Sequence, residues 1–181
     1  MHDNAIALPP ASFLARIASM IYELLLVTAV VFVASFVSLL SVVDLHVPWQ
    51  MFLYRLYLVG VLFAYFSAFW LRSGQTLAMK TWRIRLVDRS GGPLSFKQAA
   101  LRFIIALCAL SGLLLGGAVM WWALSGHSLM PFKHTTLYIT PALLGLLLAG
   151  VDFCWPLFDR DRQFLHDRIA GTRLVRVPRK A

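Results

Sequence analysis

Charge is scarce in this chain. Asp, Glu, Lys and Arg together make up 14% of the 181 residues, well below the usual share of about 25%. With 60% hydrophobic residues and a mean hydropathy of +0.74, too little polar surface is left to coat a water-soluble globule. Acid is scarcer still, at 8 Asp and Glu against 17 Lys and Arg, which sets the net charge at +9 and the pI near 10.3. There are only 2 cysteines, Cys108 and Cys154, which excludes a disulfide framework. Both lie near the cytoplasmic ends of apolar stretches, where free, packed thiols are expected. Nucleotide cradles are missing, because Ser90-Gly91-Gly92-Pro93 has neither a Walker lysine nor dinucleotide-fold spacing and reads as a turn. His46, His127 and His134 show no metal-site spacing, and His166-Asp167 stands without further ligands. No cofactor or metal is implied, and no Ser, His and Asp arrangement argues for an enzyme.

What the chain has instead is four long apolar stretches, at about residues 17–43, 49–71, 103–124 and 138–158. Each holds about the 20 residues that an α-helix needs to cross a hydrocarbon core of about 30 Å. The first is too long for the apolar region of a cleaved signal peptide and follows Leu8-Pro9-Pro10, so it is expected to stay as a span. The expected fold is an all-α membrane protein of four transmembrane helices with a small two-stranded cytoplasmic sheet. If the spans alternate in direction, Arg16, the basic residues from Arg72 to Arg102 and those from Arg160 to Lys180 fall on one side. Only Arg55 and Lys133 fall on the other, Arg55 where a side chain can snorkel to water. This is the asymmetry of the positive-inside rule, so both termini and the middle loop are expected in the cytoplasm. The charge therefore reports topology and anionic lipid rather than nucleic acid.

The polar segments carry their own signals. Residues 1–13 read as a short, weakly ordered cytoplasmic lead, residues 14–177 as the membrane domain and residues 178–181 as a tail. The brief outer loop from Asp44 to Pro48 makes the first two helices antiparallel neighbours. Residues 75–82 suit a short amphipathic interfacial helix with Trp82 as anchor. Arg83 to Val87 and Thr172 to Val177 both alternate as half-buried strands do, and are expected to pair, since a lone strand in water is unstable. Ser95 with Gln98 reads as a capping box opening the third span. Residues 159–170 are expected as a short surface helix broken by Gly171, and Thr140-Pro141 as the cap and first turn of the fourth span. Small residues four apart mark every span: Ala34 with Ser38, Gly60 with Ala64, Gly112 with Gly116 and Gly145 with Ala149. Such faces allow close backbone approach in lipid, either within the bundle or, at Gly112 and Gly116, across a homo-oligomer seam.

Ionisable groups inside the spans are the candidates for function, because an unpaired charge at a helix centre costs about 2.5 to 3.5 kcal/mol. Glu23 lies about 10 Å deeper than Arg16 along the first helix. Asp152 lies at a comparable depth in the fourth span, and Arg102 opens the third. These groups are expected to converge. Two readings stay open for Glu23 and Asp152: a polar clasp between helices, or an ion or proton relay.

Arg16 is followed seven residues later by an acid, Gly74-Gln75-Thr76-Leu77-Ala78-Met79-Lys80 leads into residues 82–88, Gly91-Gly92-Pro93-Leu94-Ser95-Phe96 stands with Arg102, and residues 165–172 complete the ordered set. By these motifs the chain resembles the RDD family of bacterial integral membrane proteins. The arginine and two acids of the family name carry over as Arg16, Glu23 and Asp167. Glu23 departs from the pattern, where aspartate is usual. The resemblance implies a bacterial inner membrane and, by analogy with some members, cation/proton antiport. The rival expectation is an accessory or assembly protein that docks a membrane-protein partner through its cytoplasmic face.

Overall fold

The computed structural model describes residues 9–39, 47–125, 135–159 and 163–178. Residues 44–46 of the expected outer loop, with His46, and the outer residues His127, Lys133 and His134 lie outside the described residues, as do Arg160, Arg162 and the tail from residue 179. Eight elements are named, in the order α1 (Phe13–Leu39), α2 (Pro48–Ser73), α3 (Leu77–Thr81), β1 (Ile84–Asp88), α4 (Phe96–Leu124), α5 (Thr135–Phe158), α6 (Leu165–Ile169) and β2 (Thr172–Arg176). Among the described residues, three helices are long and apolar enough to cross a membrane, over Phe13–Ser38, Pro48–Ser73 and Phe96–Trp121. Their apolar side chains are mostly exposed, as in Phe32, Phe52 and Leu114. In water that surface would be a liability, whereas lipid solvates it. The chain divides into two compact units, one of residues 1–100 with 172–181 and one of residues 101–171.

The first unit is built on an inside-out helix. In the first turns of α1, Arg16 and Ser19 are buried and Glu23 is half-buried, while Leu14 and Ile21 are exposed. The polar stripe at 16, 19 and 23 shares one helical face by its spacing. α2 packs against α1 and supplies a ladder of tyrosines: Tyr54 donates to Ser35 Oγ (2.8 Å), Tyr57 to the Ala34 carbonyl (3.5 Å) and Tyr65 to Glu23 Oε1 (3.0 Å). Partner numbers fall on α1 as they rise on α2, so the helices run antiparallel. Each such bond between membrane helices contributes on the order of 0.6 kcal/mol.

β1 and β2 pair antiparallel, with Leu86 opposite Leu174 and Ile84 opposite Arg176. Backbone groups of alternate residues point away from the partner strand, and both outer rows carry hydrogen bonds. On the β1 edge, Leu86 N–H donates to the Gly74 carbonyl (2.7 Å) and Gln75 Nε2 donates to the Ile84 carbonyl (2.8 Å). On the β2 edge, Ala11 N–H donates to the Leu174 carbonyl (3.0 Å) and Arg176 N–H to the Pro9 carbonyl (2.9 Å). The described end of the lead is thus docked on the sheet, with Ala11 buried. A sheet of two strands gains from this closure, because open edges invite pairing with other chains. Gly74 caps α2 at φ 67°, and a Cβ there would lie 2.5 Å from the Leu86 carbonyl oxygen. Both the turn and the close approach require glycine.

Other expectations need correction. The interfacial helix is shorter, α3, with Thr76 as its N-cap accepting from Met79 N–H (3.2 Å) and Ala78 and Met79 buried beneath it. α4 starts at Phe96, seven residues before the apolar stretch, because Ser95 and Gln98 form the expected capping box: Ser95 N–H donates to Gln98 Oε1 (2.9 Å) and Gln98 N–H to Ser95 Oγ (3.3 Å). α5 starts at Thr135, so Thr140 is not its cap and Pro141 lies beyond the first turn. The expected surface helix shrinks to α6, whose His166 and Asp167 are buried. Cys108 and Cys154 are free, as expected, but exposed rather than packed. Gly60 and Ala64 are exposed and a Cβ at Gly60 would meet nothing within 4 Å, so that stripe does not pack within its unit. At Gly112 the close approach is real and intramolecular: a Cβ there would lie 2.5 Å from the Gly145 backbone.

Candidate functional site

Two buried polar groups stand out, one in each unit. In the first, Glu23 on α1 accepts from Tyr65 on α2 and, through a very short bond, from the Thr76 hydroxyl at the head of α3. One carboxylate therefore ties three helices, each oxygen engaged by a different element. Arg16, seven residues earlier, is 1% exposed and its Nε donates to the Ala11 carbonyl (3.0 Å). This guanidinium fixes the turn by which the docked lead enters α1. Sequence reasoning placed both residues in a functional motif; the structure shows a bracing contact for each.

The second group brings together Arg102, Asp152, His166 and Asp167. Arg102 sits near the start of α4 and makes a close ion pair with Asp167, the pair being 7% and 0% exposed in their side chains. α6 and the bend before it bring His166 back onto α5. There Asp152 Oδ1 accepts from His166 N–H (2.9 Å), and Asp152 Oδ2 lies 2.8 Å from the ring Nδ1. That contact places a proton on Nδ1, and the other ring nitrogen, Nε2, is 3.5 Å from Asp167 Oδ1. Phe164 stacks on the imidazole with ring centres 5.5 Å apart and planes within 9°. Burial pushes the His166 imidazole below its ordinary range, and the Arg102 charge works the same way, against the hydrogen bond and charge of Asp152.

Arg102, Asp152 and Asp167 were legible as candidates in the sequence, and the structure joins these three in one group. His166 was set aside there as a lone His-Asp pair. Within the first unit Glu23 takes Tyr65 and Thr76 as partners, and within the second Asp152 takes His166 and Arg102 takes Asp167. Arg55 is exposed near the start of α2, as a snorkelling side chain would be. Among the described residues, no group of three His, Cys, Asp or Glu side chains has metal-site geometry.

Long apolar helices with outward-facing hydrophobic side chains, a closed two-stranded sheet and ionisable groups folded inward define a helical membrane-type protein. Its family follows from the sequence match: residues 10–171 match the RDD family, and the chain belongs to it. No curated protein and no solved structure matches the chain.

Proposed function

We propose that this is a non-enzymatic, multi-pass protein of a bacterial inner membrane that exchanges a small cation for protons. In this reading α5 is the fourth span, and the termini and the sheet are cytoplasmic, held against anionic lipid by the basic residues on that side. The observation that supports exchange is the charge balance of the buried group. Arg102 and two aspartates leave one negative charge while His166 is neutral, and none once both ring nitrogens carry protons. A proton or a small cation can supply the missing charge, and competition between them is exchange.

The test is ion flux in vesicles reconstituted with the purified protein under an imposed proton gradient, beside empty vesicles. Parent protein should move an alkali cation, while Asp152→Asn and His166→Gln should fold and lose proton-coupled flux. Glu23→Gln separates a relay at that position from a clasp, since it removes titration and keeps shape: a folded variant with parental flux eliminates Glu23 as a carrier. Absence of flux in the parent protein would overturn exchange and favour the accessory role. That second reading is supported by the complete engagement of Glu23 as a clasp. Topology is tested separately by cysteine labelling. A label at position 88 that reacts from outside intact cells would refute the proposed orientation.

A further inference from the structure

The first unit carries a groove that neither polar group uses. It has a volume of about 470 Å³, and its apolar wall is the outward stripe of α1, Leu14, Ile17, Ala18 and Ile21, faced by Trp82 and Ile84. Positions 14, 17, 18 and 21 are spaced i, i+3, i+4 and i+7, so they form one continuous strip. From Ser12 at its head to Ile21 the strip runs about 14 Å along the helix axis. Arg176 also lines the groove, and with Arg83 it lines a second recess of about 280 Å³ beside Pro9 and Val177. Both arginines are exposed, and no salt bridge among the described residues involves either. Their backbones are locked together at the end of the sheet, where Val177 N–H donates to the Arg83 carbonyl (2.8 Å). An apolar slot lined by Arg176 therefore adjoins a recess that Arg176 shares with Arg83, two cations carried on hydrogen-bonded backbone.

We propose that this is a binding site for one anionic diacyl phospholipid. The headgroup phosphate sits between Arg83 and Arg176, an acyl chain lies along Leu14, Ile17 and Ile21, and Trp82 stands at the level of the ester linkages. Charge complementarity selects an anionic headgroup: guanidinium groups present paired donors that match phosphate oxygens. The apolar strip selects a lipid over a soluble phosphate. Trp is the side chain that favours this interfacial depth, having an apolar body and a polar N–H. The proposal rests on the membrane character of the chain and is independent of ion exchange.

The experiment uses the full-length protein in detergent, titrated with phosphatidylglycerol or phosphatidylcholine, with retained lipid counted by native mass spectrometry. One phosphatidylglycerol should be retained in preference to phosphatidylcholine. Replacing both cations, Arg83→Gln with Arg176→Gln, should weaken retention by about 30-fold, from roughly 1 kcal/mol per surface cation. The charge-matched pair Arg72→Gln with Lys97→Gln should leave retention unchanged. Ala18→Phe, which fills the slot and keeps both arginines, should also lose the lipid. Equal retention of the two lipids, equal loss in both charge-neutralised pairs, or full retention in Ala18→Phe would each overturn the proposal. So would displacement of phosphatidylglycerol by millimolar inorganic phosphate, which would mark an anion site without an acyl-chain component.

Discussion

Replacing Asp167 with asparagine tests the second polar group at its most buried member. The Asp167 side chain is 0% exposed and pairs with Arg102, itself 7% exposed, so neither charge can turn to water when the other is lost. Removing one partner of such a pair costs about 3 to 5 kcal/mol, because the remaining ion stays desolvated and uncompensated. The low end applies here: Arg102 also acts on Asp152 through space, and that carboxylate takes up part of the orphaned positive charge. For a chain of this length each kcal/mol moves Tm by about 2 to 4 °C, so about 3 kcal/mol predicts a fall of about 6 to 12 °C. The assay is thermal unfolding in detergent followed by circular dichroism, on Asp167→Asn, Arg102→Gln and the double variant. Two neutral amides can bond each other, so the double should be more stable than the sum of the singles predicts by at least about 1 kcal/mol. Strict additivity, or a Tm for Asp167→Asn within about 2 °C of the parent, would refute the pairing as a stabilising contact.

Gly112→Ala should destabilise by about 1 to 3 kcal/mol, because the new Cβ meets the Gly145 backbone at 2.5 Å; Gly117→Ala, with open space around it, should be neutral or stabilising in the same unfolding assay. The burial of His166 predicts a pH dependence. Its folded pKa is lowered, so the unfolded chain takes up the proton first, and the contribution is whole above about pH 6.5 and lost as pH falls through the folded value. Tm measured from pH 8 to pH 5 should fall on the acid side for the parent and fall less for His166→Gln; parallel curves would count against it.

The parts of the fold that were legible are those where neighbours in sequence determine the outcome. Alternation in residues 83–87 and 172–177 foretold two paired strands, and Ser95 with Gln98 foretold a helix start, because a capping box is closed within four residues. Docking of Pro9 and Ala11 on β2 uses backbone groups, so no alternation or spacing announced it, although the Arg16 side chain braces the Ala11 carbonyl. Thr140-Pro141 misled because proline is tolerated where a neighbouring turn can re-satisfy the backbone in an apolar setting, and α5 runs through it. The tyrosines of α2 lie within the second apolar stretch, and nothing in their spacing singles them out. Only their partners on α1, which lie 19 to 42 positions away, give them a role. His166 was missed for the same reason: its partner Asp152 is 14 residues away, across a bend that the sequence does not specify.

The family motifs divide according to what the structure asks of them. Gly74, Gln75 and Thr76 are consecutive, yet each serves a different neighbour: Gly74 accepts from β1, Gln75 donates to β1, and Thr76 caps α3 while donating to Glu23. Arg16 holds the lead that closes the other sheet edge. The first unit thus spends its motif residues on fixing a small polar module to the ends of two apolar helices, where lipid supplies no hydrophobic drive for packing. The second unit is different in kind. Gly112 and Gly145 already bring α4 and α5 into backbone contact, so adhesion there does not require four ionisable side chains. Burying Arg102, Asp152, His166 and Asp167 together carries a desolvation cost that an apolar set of equal volume would avoid. A cost with no packing need behind it is the physical reason to look for the chain's activity in that group rather than around Glu23.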